Sequence, residues 1–304
     1  MLSIKVPRRL GQYWVGSTIF ETGTALISET TNPSSNEKLA LKIIDKNKAL
    51  EEHYQNECSL VREMRHEYLM SAVEIFDQDD FRIIVFPLAV GGDLFEFLNK
   101  NGALSERLAM KFAFTALTAL DYMHSKDIWH RDIKPENFLL MDSSLTDPYF
   151  VLSDFGFSKR FPPGYLCDEY LGTPLYSAPE IHKRIPYDKS VDIWALGVTL
   201  YIALSRRSPF PPGDYYQRGA IINGDYNFDG PEWEDVSEGA KDLIFHMMRV
   251  DPSERITAQE ALEHPWIRRY LESEQYPGLY YDVKHQFGFD VPDLDDEFDG
   301  GNVF

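Results

Sequence analysis

The amino-acid sequence predicts an α+β fold in two lobes: a small β-rich N-terminal lobe with one helix, and a larger C-terminal lobe that is mainly helical. Short β-type runs separated by turn clusters fill about the first eighty residues, and after Gly91 and Gly92 the apolar residues repeat at helical spacing. The chain of 304 residues, 43% of them apolar, can bury a sizeable core, which excludes disorder throughout. The expected ligand site is the cleft between the lobes.

In the N-terminal lobe, four β-type runs and one helix are predicted. The clearest turn, at residues 32–36, consists of Asn, Pro and Ser, and the helix is predicted by the spacing of Leu60, Val61 and Met64. The predicted strands are residues 13–20, 24–30, 39–44 and 83–86, and the predicted helix is residues 48–65. Residues 1–12 are interpreted as an N-terminal extension.

Helices dominate the C-terminal lobe. Residues 105–124 carry apolar side chains three and four residues apart, and Thr257 and Glu260 have the spacing of a capping box at a helix start. Further helices are predicted at residues 190–204, 237–248 and 257–262. Residues 268–304 are interpreted as an acidic tail, either a solvated end or a segment that occupies a substrate groove as an autoinhibitor.

The net charge and the cysteine content indicate which binding partners and which cellular compartment to expect. The 30 Lys and Arg against 49 Asp and Glu give a net charge of −19, which argues against nucleic-acid binding and favours basic partners, unless the acidity only keeps the protein in solution. Cys58 and Cys167 are expected to be free thiols in a reducing compartment, the cytoplasm or alternatively the nucleus. Residues 1–11 lack the apolar run of a secretory signal, and residues 193–204, the longest apolar run, are too short to span a bilayer, so no membrane segment is expected.

Five motifs carry chemically useful side chains. Residues 130–137, His-Arg-Asp-Ile-Lys-Pro-Glu-Asn, place an acid, a cation and an amide in one short loop. Asp-Phe-Gly follows at residues 154–156, and Gly-Thr-Pro-Leu-Tyr-Ser-Ala-Pro-Glu follows at residues 172–180. Upstream, Lys42 ends a predicted strand and Glu57 lies on the predicted helix. Taken singly, each has a simpler explanation, such as a surface lysine or a turn, but together and in this order they indicate one site.

This set of motifs resembles that of the eukaryotic protein kinase superfamily, and more narrowly its serine/threonine branch near the calmodulin-dependent and AMP-activated groups. The resemblance covers roughly residues 10–267. It implies the two-lobed protein kinase fold, with a kinase domain at residues 13–267, an N-lobe at about 13–86, a hinge at about 87–90 and a C-lobe at about 91–267. It further implies ATP, with Mg²⁺ or Mn²⁺, and a protein substrate.

By this resemblance the catalytic side chains include Asp132, Lys134 and Thr173. Asp132 would orient the acceptor hydroxyl and accept its proton, and Lys134 would steady the phosphate in transfer. Lys134 and Thr173 also point to Ser/Thr acceptors, since tyrosine-specific relatives carry a different loop pattern. A small-molecule kinase is less favoured, because residues 172–180 resemble the segment that seats a peptide acceptor.

The resemblance also assigns the nucleotide and metal site. Lys42 would hold the α and β phosphates, with Glu57 fixing it as an ion pair. Asn137 and Asp154 would supply the hard oxygen ligands that Mg²⁺ or Mn²⁺ prefers, and Asn137 counts among the catalytic residues as well. The adenine and ribose pocket would be formed by Ile19, Ile27, Ala40, Phe86 as gatekeeper, Leu88 of the hinge, Asp93 at the ribose and Leu139.

Three charged residues are assigned structural roles by the same resemblance. Glu180 is expected to pair with Arg255 in a buried ion pair. Asp192 is expected to brace the catalytic loop, which explains an acid at the start of a helix that otherwise suits a core. Breaking such a buried pair is expected to cost about 3–5 kcal/mol.

The loop that covers the phosphates departs from the family pattern. Relatives carry G-x-G-x-x-G followed by x-V, because glycine lets the backbone approach phosphate closely. With Ile27 at the valine position, the three glycine positions become Phe20, Thr22 and Ala25, and Gly23 is one place out of register. The chain is then either a working kinase with altered nucleotide cover or a pseudokinase that acts as a scaffold, and the retained charged residues favour the first. A shifted register is the remaining explanation.

The activation segment is the second departure. Many relatives carry a phosphorylatable Thr three residues before the glycine of the Gly-Thr pair, and here that position is Glu169. The hypothesis is that Glu169 substitutes for the phosphate by pairing with Arg131 and Lys159, so that the kinase is active without loop phosphorylation. The alternative is a solvated acidic loop, and Tyr165 and Tyr170 remain candidate phosphosites.

Two acids suggest the substrate preference. Asp93 and Glu136 match acids that receive an upstream arginine in basophilic relatives, so a modest preference for one basic residue before the acceptor is predicted. Ile202 stands where some of these relatives carry a further acid, and Arg206 and Arg207 are nearby. No basic amphipathic helix typical of a calmodulin site is evident, and no pattern indicates an oligomeric state.

Overall fold

The computed structural model describes residues 6–49 and 51–271, with the side chains of residues 51–53 and 269–271 excepted. Most of the predicted acidic tail, residues 272–304, lies outside the described residues. Within them the chain forms a sheet-rich lobe with one helix and a larger helical lobe, so the predicted two-lobed α+β fold is confirmed. Among the helices described, none combines the length and the apolar character needed to cross a membrane.

The N-terminal lobe is built around one antiparallel sheet. Its elements are β1 (Arg9–Leu10), β2 (Tyr13–Trp14), β3 (Thr18–Glu21), β4 (Ala25–Thr31), β5 (Lys38–Asp45), α1 (Glu51–Glu63), β6 (Glu74–Gln78) and β7 (Phe81–Pro87). Five strands pair in the order β3-β4-β5-β7-β6. In β5, Leu39, Leu41 and Ile43 are fully buried on one face, and Ala40 and Lys42 point to the opposite face. This alternation directs Lys42 toward the second lobe.

The hairpin of β1 and β2 covers the outer face of this sheet. Leu10 and Tyr13 are buried against the apolar side chains that β5 and β7 present on that face. The Tyr13 hydroxyl donates to Glu74 Oε2 at 2.6 Å. Residues 9–12, which the sequence suggested as part of an extension, are therefore packed onto the N-terminal lobe.

The C-terminal lobe packs helices around two long, buried ones. Its helices are α2 (Leu94–Asn101), α3 (Glu106–Ser125), α4 (Pro179–Lys183), α5 (Ser190–Ser205), α6 (Asp214–Asn223), α7 (Glu238–Met247), α8 (Ala258–Leu262) and α9 (Pro265–Leu271). Its short strands are β8 (Ile128–Trp129), β9 (Phe138–Leu140), β10 (Phe150–Leu152) and β11 (Lys159–Arg160). Helix α5 is apolar around its circumference and buried along almost its whole length, so it forms the centre of the lobe with α3.

The predicted helix boundaries agree best with the structure where a capping residue or a strong apolar periodicity marks them. Ser105, Ser237 and Thr257 each accept the backbone N–H three residues ahead, at the starts of α3, α7 and α8. The capping box is present, since the Thr257 amide donates to Glu260 Oε2 at 2.9 Å. The predicted strand 13–20 is split into β2 and β3, and β6, α2 and α6 were missed.

Candidate active site

Lys42, Glu57 and Asp154 form a cluster of charges where the two lobes meet. The Lys42 Nζ lies 2.5 Å from Glu57 Oε1 on α1 and 3.0 Å from Asp154 Oδ1. Burial lowers the pKa of Lys42, but the charges of Asp154 and Glu57 outweigh burial and the net pKa is raised. The charge of Lys42 lowers the pKa of Asp154 to about 2. The three predicted residues therefore lie together, with Lys42 and Asp154 ionised at neutral pH.

Asp132 lies at the centre of a second polar cluster. Its Oδ1 accepts the Thr173 hydroxyl at 2.8 Å, and its Oδ2 accepts Lys134 Nζ at 2.6 Å. Lys134 Nζ also donates to Thr173 Oγ1 at 3.1 Å. The Asp132 carboxylate is buried, so these donors fix its orientation. The structure thus brings together the three predicted catalytic side chains Asp132, Lys134 and Thr173.

The predicted metal ligands retain oxygen atoms for a cation. Asn137 donates through Nδ2 to the Asp132 carbonyl at 2.6 Å and to Asp132 Oδ2 at 3.2 Å, so its amide oxygen is not used by these bonds. Asp154 meets Lys42 through Oδ1, and its ionised carboxylate has a second oxygen. A carboxylate and an amide oxygen are the hard ligands that Mg²⁺ and Mn²⁺ prefer. The donor set therefore fits the predicted divalent ion.

The catalytic loop is held by a buried acid at the start of α5. Asp192 Oδ2 accepts the His130 N–H at 2.9 Å, and Oδ1 accepts the Arg131 N–H at 2.7 Å. His124 Nε2 lies 2.8 Å from Oδ2. Burial alone would raise the pKa of Asp192, but the hydrogen bond from His124 and the neighbouring charges lower it overall. The loop therefore keeps Arg131 at a left-handed φ of 67°, an uncommon conformation for a residue with a Cβ.

Glu180 and Arg255 form the predicted buried pair. Arg255 NH1 lies 2.7 Å from Glu180 Oε1, and NH2 lies 3.1 Å from Oε2, so the pair is bidentate. Arg255 NH1 also donates to the Ser190 carbonyl at 3.0 Å, which ties the pair to the start of α5. This geometry joins the end of the 172–180 segment to the helix that carries Asp192.

Part of the predicted adenine pocket lies on the sheet beside Lys42. Ala40 of β5 is directly opposite Phe86 of β7, and Ile27 of β4 is directly opposite Lys42. Ala40, Lys42 and Ile27 are half-buried, as side chains on a face that closes over a cleft should be. Four of the residues predicted for the adenine pocket or the phosphates, Ile27, Ala40, Lys42 and Phe86, therefore lie side by side on this sheet.

The other predicted pocket residues lie apart from these positions. Leu139 of β9 bridges to Asp93, and the Asp93 carboxylate caps α2 by accepting the Glu96 N–H at 2.8 Å. Burial raises the pKa of Asp93. Ile19 and Leu88 line a cavity of about 470 Å³ that extends along the hinge to α2. The seven predicted residues therefore lie on the N-terminal sheet, on the hinge, at the start of α2 and on β9.

The hairpin that would cover the phosphates turns through four residues, and its pairing shifts by one residue in β3, between Thr18 and Phe20. Phe20 of β3 lies opposite Ile27 of β4, and Glu21 lies opposite Leu26, which leaves the four residues 22–25 to make the turn. The assignment of the three glycine positions to Phe20, Thr22 and Ala25, with Ile27 at the valine position, stays a prediction. The structure places Phe20 on β3, Thr22 and Ala25 at the two ends of the four-residue turn, and Ile27 on β4.

Arg131, Lys159 and Glu169 meet in the activation segment. Glu169 Oε2 lies 2.6 Å from Arg131 NH1, and its Oε1 lies 3.3 Å from Lys159 Nζ. The hydrogen bond from Arg131 lowers the pKa of Glu169. The guanidinium of Arg131 also donates through Nε to the Phe157 carbonyl at 2.8 Å. The structure thus brings the three predicted regulatory residues into one ion-pair group.

Sequence reasoning missed a link between α1 and the activation segment. Asn56 of α1 donates to the Ser158 carbonyl, and Glu63 at the end of α1 pairs with Arg160 of β11. Arg160 directly follows Lys159, so β11 contacts Glu169 of the activation segment through one residue and α1 through the next. The basic pair was visible in the sequence, but nothing there indicated a partner for Arg160.

Comparisons with known proteins agree with this geometry. Residues 15–267 match the family model of the protein kinase domain. The chain is 40% identical over 231 residues to calcium/calmodulin-dependent protein kinase type 1 of Caenorhabditis briggsae, across 75% of this chain and 64% of that protein. It is 39% identical over 233 residues to type 1B of Rattus norvegicus, across 75% and 67%. It is 33% identical over 295 residues to a probable myosin light chain kinase of Dictyostelium discoideum, across 95% and 83%. The match spans just under two thirds of the first of these relatives.

Proposed function

Because the chain belongs to the protein kinase family and its domain is of the serine/threonine type, we propose that it transfers the γ-phosphoryl group of ATP to serine or threonine residues of protein substrates. The observation that carries this proposal is the arrangement of Lys134 and Thr173 around the Asp132 carboxylate. In the second cluster, Lys42 supplies a cation for a bound triphosphate.

Each residue has a defined part in the proposed transfer. The acceptor oxygen bonds to the γ-phosphorus, the bond from that phosphorus to the β–γ bridging oxygen breaks, and the acceptor proton passes to Asp132. Lys134 donates to the transferring phosphate, and Lys42, held by Glu57, donates to the other phosphates. Asn137 and Asp154 would hold Mg²⁺, which offsets negative charge on the phosphate oxygens when it is bound.

Transfer of labelled γ-phosphate from ATP with Mg²⁺ to a basic Ser/Thr peptide tests the proposal. Asp132→Asn keeps the shape and removes the proton acceptor, so we expect transfer to fall by about 10²- to 10⁴-fold with ATP binding retained. Asp147→Asn makes the same change at an exposed surface pair and should leave transfer intact. No transfer from the wild type, with no Mg²⁺-dependent ATP binding, would contradict the proposal.

A scaffold without transfer is the second candidate, and the hairpin tip favours it. Thr22 and Ala25 occupy positions where the family carries glycine, at the part of the loop nearest the phosphates. A scaffold predicts no phosphate transfer from either the wild type or Asp132→Asn. The wild-type assay above separates the two candidates.

The proposed activity does not require phosphorylation of the activation segment. Support comes from the ionised Glu169, which pairs with Arg131 and Lys159 as a phosphate group would. One carboxylate carries less charge than a phosphate, so the segment is held less strongly than in a phosphorylated kinase.

The proposed substrates carry one basic residue upstream of the acceptor. The charges of Glu96 and Glu136 add to burial in raising the pKa of Asp93, which supports an acidic area around Asp93. Arg206 and Arg207 are engaged by Asn99 and Glu232 instead. A positional peptide library should show basic enrichment upstream of the acceptor, and Glu136→Gln should reduce it. A flat profile would refute this preference.

The proposed location is the cytoplasm, with the nucleus as the alternative. The two cysteines are free and buried, as expected where thiols stay reduced. Fluorescence of a tagged full-length protein in cells tests the location directly. A signal confined to a secretory compartment would contradict it.

A further inference from the structure

Thr22 closes the tip of the β3–β4 hairpin with its own side chain. Its Oγ1 accepts the Ala25 N–H at 3.0 Å and the Thr24 N–H at 3.3 Å, and its hydroxyl donates to the Ala25 carbonyl at 3.2 Å. The Thr22 N–H donates to the same carbonyl at 2.8 Å. One hydroxyl therefore accepts from two backbone N–H groups at the tip.

The tip is also fixed to the strand that carries Lys42. The Asp45 N–H donates to the Thr24 carbonyl at 3.0 Å, and Ala25 lies opposite Ile44 of β5. Because Ile27 lies opposite Lys42, the tip is only a few residues along the same ladder from the lysine proposed to bind phosphate. The two N–H groups are thus part of the hairpin that would cover the triphosphate.

The turn does not depend on the backbone freedom of glycine. Neither Thr22 nor Gly23 has a left-handed φ, and a Cβ added at Gly23 would meet no atom within 4 Å. A β-branched residue therefore fits at position 22 without strain. The hydroxyl of Thr22, rather than a glycine conformation, determines the shape of the tip.

We propose that the Thr22 hydroxyl takes the place of a phosphate oxygen at the N–H groups of Thr24 and Ala25, and thereby weakens the binding of the triphosphate relative to the nucleoside. This inference rests on the proposed nucleotide-binding function. Clustered backbone N–H groups in a turn bind anions when they are free. Here ATP has to displace the hydroxyl or bind without these donors, so Thr22 sets phosphate affinity by withholding hydrogen-bond donors.

Removing the hydroxyl without changing the shape of the side chain tests the proposal. Thr22→Val keeps the β-branch and lacks the acceptor, and Thr22→Ala also lacks it. Dissociation constants of ATP with Mg²⁺ and of adenosine are measured by calorimetry. We expect Thr22→Val to bind ATP about five- to twentyfold more tightly with adenosine unchanged, because two hydrogen bonds to a charged acceptor replace two to a neutral one. Thr22→Ala is expected to follow.

Two matched variants define the controls. Thr22→Ser keeps a hydroxyl and should keep the wild-type ratio of the two dissociation constants. Thr18→Val removes a hydroxyl from the start of the same hairpin, away from the tip, and should also keep that ratio.

Unchanged or weaker ATP binding by both Thr22→Val and Thr22→Ala, with adenosine binding intact, would overturn the proposal and make the hydroxyl a cap that preserves the loop. An equal gain in Thr18→Val would overturn it as well, because the effect would then not come from the tip. If the wild type binds neither ATP nor adenosine, the proposed nucleotide-binding function fails and the inference fails with it. Adenosine binding therefore distinguishes the two failures.

Discussion

Glu169→Gln is expected to lower the kcat/KM of the unphosphorylated protein about 5- to 30-fold. The Arg131 side chain is 5% exposed and that of Glu169 is 41% exposed, with 2.6 Å between NH1 and Oε2. A hydrogen bond between charged groups contributes about 1.5–3 kcal/mol, and the exposure of the acid reduces this to about 1–2 kcal/mol. Lys159 is itself exposed and contributes little more. Since about 1.4 kcal/mol is a factor of ten, a loss of about 1–2 kcal/mol should lower the population of the ordered segment by about 5- to 30-fold.

The assay needs protein that carries no phosphate on the activation segment. Bacterially expressed wild type and Glu169→Gln are checked by mass spectrometry and compared in peptide transfer. Asp168→Asn is the matched control, because it removes the same charge from the adjacent exposed residue and leaves the contact with Arg131 in place. Equal activity in Glu169→Gln and Asp168→Asn would refute the reasoning, as would a wild type that is inactive until another kinase phosphorylates it.

The pH dependence of this contact has a defined sign. The pKa of Glu169 is lowered in the folded protein from its ordinary value of 4.5, so the stabilisation is complete above that value. It is lost as the pH falls through the lower folded pKa. Hydrogen exchange of the activation segment should therefore differ between wild type and Glu169→Gln at neutral pH and converge in acid. A difference that persists in acid would contradict the assignment.

Three further predictions concern the nucleotide site and the N-terminal lobe. Lys42→Met should reduce transfer by about 10²- to 10³-fold, because it removes the cation proposed to bind phosphate, and steady-state kinetics measures this. In a carboxyl NMR titration of the wild type, Asp154 should titrate near 2, so its stabilising charge is lost as the pH falls from 3.8 through 2. In Lys42→Met the titration midpoint of Asp154 should rise, because the neighbouring cation is gone. An unchanged midpoint would contradict the pairing. Leu10→Ala should lower the free energy of unfolding in urea by about 2–5 kcal/mol, since the side chain is 0% exposed, against about 0.5 kcal/mol or less for the exposed Leu145→Ala.

The sequence was most informative where a residue type has few alternatives. The resemblance to protein kinases implied that Asp192 braces the catalytic loop and that Glu57 pairs with Lys42, and the structure shows those contacts. The kinase family was identified from five motifs in the family's order and is confirmed. The two-lobed architecture followed from periodicity, which is strong in α3 and α5.

Elements with a weak apolar pattern were harder to predict. Strand β6 is at the edge of the sheet and none of its residues is buried, so it lacks the alternation of a half-buried strand. Helix α6 buries only Ala220 and Ile221 near its end, which is too little for a periodic signal. The role of Thr22 depends on hydrogen bonds within a turn, and those depend on backbone torsions that residue identity alone does not determine.

Strand β11 connects two distant parts of the molecule. Its adjacent residues Lys159 and Arg160 contact Glu169 on one side and Glu63 of α1 on the other. Helix α1 also carries Glu57, the partner of Lys42. We expect a ligand that binds better when Glu57 meets Lys42 to favour the ordered activation segment as well. An ordered segment should then tighten that ligand by the same factor, because coupling between two sites is reciprocal. Protease resistance of the activation segment should then rise when the cleft is filled, without any covalent change to the chain.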